Sequence, residues 1–90
     1  MKHSKAFKEY FYEVKQIVDY VDPVKIGYIS EDEYDNESYA IAHKTYNKKL
    51  SKSQISEIVK EVFVYFFSED YISDEESEKI GEEIYKILTF

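Results

Sequence analysis

Residues 50–67, LSKSQISEIVKEVFVYFF, constrain the fold more than any other stretch of the chain. Ile55, Ile58, Val59, Val62, Phe63, Phe66 and Phe67 recur at the i, i+3, i+4, i+7 spacing of a helix with one buried side. Val64 and Tyr65 carry the apolar character beyond that stripe, so the C-terminal half is expected to be contacted from more than one direction. The start is marked twice. Ser51 and Gln54 form a Ser-x-x-Gln capping box, and Leu50 and Ile55 occupy the two ends of a hydrophobic staple, which places the first turn near Lys52. The other segments are expected to pack around this helix.

Three further segments carry helical signals. Over residues 4–21, Phe7, Tyr10, Phe11, Val14, Ile17, Val18 and Val21 share a face, Ser4 can cap the first turn, and Asp22-Pro23 supplies the stop, because proline disfavours helical dihedrals in the residue before it. Tyr20 is assigned at least in part to the core of this segment. Residues 22–30 hold the only proline and one of the two glycines. Val24, Ile26 and Ile29 make this stretch too apolar for a solvated linker, so it is expected to fold back across the helices as a longer loop. The second helix is expected from the Ser30–Glu33 capping box through Lys49, with Tyr34, Ser38, Ile41, Ala42 and Thr45 on one side. That face is weakly apolar, so this helix is expected to be the most exposed. Ser73–Glu76 is a third capping box and opens a last helix that buries Ile80, Ile84, Ile87 and Leu88. Gly81 costs about 1 kcal/mol against alanine inside a helix, a cost that a close approach by a neighbouring helix would justify. Four helices with short connections predict an all-α, antiparallel four-helix bundle in a single domain spanning residues 1–90.

Composition excludes more than it assigns. With no cysteine there is no disulfide framework and no thiolate metal site. The basic N-terminus lacks a continuous apolar stretch, and no apolar run approaches the ~18 residues of a membrane span, which predicts a cytoplasmic protein with no membrane partner. The net charge is −7 and every cation is a lysine. Lacking the planar fork of arginine, and repelling polyanions as a whole, such a chain is not expected to bind nucleic acid directly. Residues 69–90 hold eight acids against two lysines, so the last helix is the main acidic surface.

Candidate catalytic and metal-binding patterns fail on their spacing. The run Glu31-Asp32-Glu33-Tyr34-Asp35-Asn36-Glu37 has neither the alternation nor the central glycine of a calcium loop. Its carboxylates suit a helix N-terminus, where the macrodipole favours negative charge, or a contact surface for a basic protein. His3 and His43 have no ligand partner at metal-binding spacing, and His43 suits a helix C-terminus. No nucleophile elbow and no phosphate-cradling glycine loop is present. Neither an enzyme nor a cofactor is expected.

Ten tyrosines in ninety residues are more than so small a core readily hides. Tyrosine offers large contact area at low conformational cost and is enriched at binding hot spots. Tyrosines beside carboxylates therefore suggest an interface for a basic partner. The candidate contact residues are Glu31, Asp32, Glu33, Asp35, Glu37, Tyr39 and Tyr46, with Asp70, Tyr71, Asp74 and Glu75 near the last helix. The alternative is a helical domain that self-associates as a homodimer through the Phe66-Phe67 end.

The apolar helix over residues 11–21 runs into Asp22-Pro23, and Glu31-Asp32-Glu33-Tyr34-Asp35 follows. A helix containing Ile41 comes next, then an aromatic-ended helix opened by Leu50-Ser51. This order resembles the YugE-like family of short bacterial all-helical proteins of unknown function, over most of the chain. Tyr20 stands where that family tends to tryptophan, and the helix after Asp35 is more polar here. The resemblance implies a small helical domain and no established chemistry. In size and charge the chain is also similar in type to immunity proteins that neutralise toxin domains. The leading expectation is therefore an immunity or antitoxin-type module for a basic toxin domain such as a nuclease.

Overall fold

The central segment folds from the cap outward. In the computed structural model, which describes residues 5–21, 34–67 and 72–89, helix α3 spans Lys52–Phe66. Ser51 is extended, and its hydroxyl accepts from the Gln54 N–H at 3.1 Å while the Gln54 side chain accepts from the Ser51 N–H at 2.8 Å. Two donors that the first turn would otherwise leave unpaired are satisfied together. Ile55, Val59, Val62 and Phe63 are buried, and Leu50 at the staple position is half-buried against the core. Helix α4 (Asp74–Leu88) opens on the same device: the Ser73 hydroxyl accepts from the Glu76 N–H at 3.1 Å, and the Glu76 carboxylate accepts from the Ser73 N–H at 3.2 Å.

Helix α1 (Lys5–Val21) buries Phe7, Tyr10, Val14 and Val18, with Phe11, Ile17 and Val21 half-buried beside them. It ends at Val21, the residue before the expected Asp-Pro stop. Ser4, Asp22-Pro23, the loop at 22–30 and the Ser30–Glu33 box lie outside the described residues.

Helix α2 (Asp35–Thr45) corrects the sequence-based expectation at both ends. It starts at Asp35, about a turn later than the Ser30–Glu33 box predicts; Tyr34 sits at the N-cap and forms no side-chain cap bond. It stops at Thr45, not Lys49, because Tyr46 turns extended (φ −60°, ψ 129°) and Asn47 adopts a left-handed conformation (φ 57°). Asparagine tolerates that region better than most residues with a Cβ.

Nor is α2 the most exposed helix. Five of its eleven residues are buried, against four of fifteen in each of α3 and α4. Low hydropathy misleads here because Ser38, Ala42 and Thr45 are small, which lets the α2 backbone sink between α1 and α3. Thr45 keeps its polarity satisfied inside the bundle. Its hydroxyl donates to the Ile41 carbonyl at 2.8 Å, so the Tyr10 hydroxyl donates to Thr45 at 2.5 Å. The Tyr10 pKa is raised by burial of the ring, opposed in part by Thr45.

Side-chain pairs set the helix directions. Phe7 meets Tyr46 at 5.3 Å between ring centres and Lys15 meets Asp35 at 2.8 Å, so α1 and α2 run antiparallel. Tyr34 meets Phe63 at 6.0 Å, and Lys60 pairs with Asp74 while Gly81 lies against Ser56. Lys79 sits over the Tyr20 ring at 5.7 Å. Each helix thus packs on its neighbours in sequence, α1 closes the ring on α4, and the backbones of the diagonal pairs stay apart. The result is an all-α, antiparallel four-helix bundle. Thirteen residues separate α1 from α2, against six and seven for the other two connections. The ends of α1 and α3 and the starts of α2 and α4 define one end of the bundle, and the opposite termini define the other.

Candidate protein-binding surface

Among the described residues, those that the sequence suggested for one contact surface fall at different places on the bundle. Asp35 is engaged with Lys15 at 2.8 Å, and Lys15 also reaches Asp19 at 3.2 Å, so this cluster ties α1 to α2. Burial opposes the charge on Lys15, but the two carboxylates outweigh it and raise the lysine pKa. Glu37 is only 5% exposed, inside the bundle and not on an outer face. Starting the helix at Asp35 puts positions 37, 38, 41, 42 and 45 on the inward side. Tyr46 is half-buried between Phe7 and Tyr10. Tyr39 packs edge-on against Phe7 and Phe11 at 5.9 and 6.0 Å and is still 41% exposed. These two rings seal the α1–α2 seam. Asp74 and Glu75 do lie on the surface, Asp74 paired with Lys60 across the α3–α4 seam. Glu31, Asp32, Glu33, Asp70 and Tyr71 lie outside the described residues.

A different surface emerges between α1 and α4. An open groove of about 920 Å³ runs along this seam, with Ile17, Val21 and Ile87 as its apolar lining and Glu13, Glu83 and Tyr20 among its polar lining. Tyr20 corrects the core assignment: it is 81% exposed. The helical register explains this, because two residues after the buried Val18 the chain has turned ~200° from the core. Lys79 covers one side of the ring in a cation–π contact, and Lys86 is held by Glu83 at 3.1 Å. That carboxylate raises the Lys86 pKa. Beyond the groove, α4 turns Glu75, Glu78 and Glu82 to solvent.

Another large exposed ring is Tyr65, 83% exposed near the end of α3. It meets Phe66 edge to face at 5.1 Å. Both Tyr20 and Tyr65 therefore sit at the bundle end that also carries Asp35, Asp74 and Glu75. Sequence reasoning named the acids of this end but not Tyr20 or Tyr65 as contact rings; of the tyrosines it did name, Tyr39 is partly exposed, Tyr46 is half-buried and Tyr71 lies outside the described residues. Composition counts rings, whereas only the register of a folded helix tells which of them face outward.

Among the described residues no three His, Asp or Glu side chains gather as they would around a metal ion, and no helix is long and apolar enough to cross a membrane. No family model, no curated protein and no solved structure matches this chain.

Proposed function

We propose that this chain is a non-catalytic protein-binding module that presents carboxylates and an exposed tyrosine to a basic protein, acting as an immunity or antitoxin-type partner of a basic toxin domain such as a nuclease. One observation supports the reading above the others: Tyr20 stands exposed beside an apolar groove, next to the acid-rich outer face of α4. A partner's aliphatic or aromatic side chain can enter the groove, the phenol ring anchors the contact, and the carboxylates steer a cationic surface toward it. The proposal carries with it membership of the YugE-like family, on the residues that motivate it, and a cytoplasmic location.

Co-expression with the product of an adjacent gene, followed by titration of the purified pair, tests the assignment. Tyr20→Ala is expected to weaken binding by about 2 kcal/mol, roughly thirty-fold, mainly through faster dissociation. Glu75→Gln with Glu78→Gln is expected to slow association and flatten its dependence on NaCl. Affinity that ignores salt and survives Tyr20→Ala unchanged contradicts the proposal.

A second reading rests on Tyr65 and Phe66, whose adjoining exposed rings suit a symmetric homodimer. Light scattering decides it: a doubled mass that returns to monomer in Phe66→Ser supports the dimer, and a monomer at all concentrations contradicts it.

A further inference from the structure

The antiparallel topology sorts charge along the bundle axis in a way the net charge conceals. At the end formed by the start of α1 and α3 and the close of α2 and α4, the described side chains include Lys8, Lys44, Lys48, Lys49, Lys52 and Lys86, against Glu9, Glu57, Glu82 and Glu83. All six lysines are exposed. Among the described residues toward the opposite end, the lysines are Lys15, Lys60 and Lys79, against eight carboxylates. Those three are also engaged there, Lys15 and Lys60 with aspartates and Lys79 over Tyr20. Among the six, only Lys86 has an ion-pair partner within the described residues, Glu83. The free positive charge and the surplus negative charge therefore lie at opposite ends of one molecule. The helices alternate in direction, so their backbone dipoles largely cancel and this polarity belongs to the side chains.

We propose that the lysine end is a docking surface for the carboxylate end of a second copy of this chain, giving head-to-tail association. The occupant is identified by charge complementarity, since the bundle itself carries the acidic surface that matches the lysines. A fifteen-residue helix is about 22 Å long, more than two Debye lengths at physiological salt (~8 Å), so each end acts as a separate patch there. At low salt the Debye length grows to ~30 Å, longer than that helix, and the like net charge of −7 drives whole molecules apart. At high salt the contacts between ends are screened as well. Association therefore peaks at intermediate ionic strength. The contact is heterologous, so it extends into short open chains and does not close as a two-fold dimer.

Because it concerns the chain alone, the proposal fails or holds independently of any basic partner. Sedimentation velocity and small-angle scattering on the full chain at high concentration, in NaCl at about 10 mM, 150 mM and 1 M, read it directly. The expected result is a concentration-dependent average mass that is highest at the middle salt. Lys48→Gln with Lys49→Gln, and separately Glu75→Gln with Glu78→Gln, each weaken association by about 3- to 10-fold, as loss of two surface charge pairs implies. The second pair gives a sign test. It reduces the net negative charge, so if net repulsion alone governed the molecule it would strengthen association. Strengthening by Glu75→Gln with Glu78→Gln overturns the proposal, as does a constant monomer mass at all three salts. An association that Phe66→Ser abolishes and both charge variants leave intact overturns it too, in favour of a symmetric apolar dimer. Circular dichroism of each variant confirms that the helices are retained.

Discussion

At the residue scale, two side chains show how little slack this small bundle has. A Cβ built on Gly81 would lie 3.0 Å from both the Cα and the backbone nitrogen of Ser56, and would meet the Ser56 hydroxyl more closely still. The expected preference for alanine inside a helix, about 1 kcal/mol, is overridden because the opposing atoms are backbone and cannot rotate away. Gly81→Ala is therefore expected to destabilise the fold by about 1–3 kcal/mol in urea titrations, and a gain in stability would contradict the close α3–α4 packing. Tyr10 is the other case. Its hydroxyl donates to the Thr45 hydroxyl, which in turn donates to the Ile41 carbonyl. Tyr10→Phe leaves Thr45 still donating, so the expected loss is only about 1 kcal/mol.

At the element scale, legibility in the sequence followed how local each signal was. The caps of α3 and α4 were readable because a capping box needs only two side chains three residues apart. Ser51→Ala and Ser73→Ala are each expected to cost about 1 kcal/mol in equilibrium unfolding, and no loss in either would mean the boxes do not hold those helix starts. The limits of α2 were not readable in the same way. The helix starts at Asp35, and its end is set by the conformations of Tyr46 and Asn47, which no side-chain pattern announces. The depth of α2 was hidden for a related reason. Ser38 and Thr45 score as polar in a hydropathy pattern, yet small volume and internal hydrogen bonding decide how close two helices come. The candidate surface was half legible: Asp74 and Glu75 were named, whereas the groove beside Tyr20 exists only once α1 and α4 are brought together.

At the scale of the whole molecule, a chain of ninety residues buries a thin core, so modest pairings weigh heavily. Two buried or half-buried groups, Tyr10 and Lys15, have pKa values raised in the folded state. Each binds its proton more tightly folded than unfolded. Their stabilising contribution is therefore complete below the unfolded values of about 10 to 10.4 and is lost as pH rises above them. The midpoint of thermal unfolding is expected to fall above pH ~10, less steeply in Tyr10→Phe, while a flat profile to pH ~11 would contradict the linkage.

The account rests on how the bundle divides its phenol rings, Tyr10 and Tyr34 packed within and Tyr20 and Tyr65 left outside. Tyrosine nitration followed by peptide mapping reads that division ring by ring. Rapid modification of Tyr20 and Tyr65, with Tyr10 and Tyr34 protected until denaturant is added, is the predicted result. Protection of Tyr20 to the same degree as Tyr10 would mean that the proposed anchor is buried and the surface built around it does not exist.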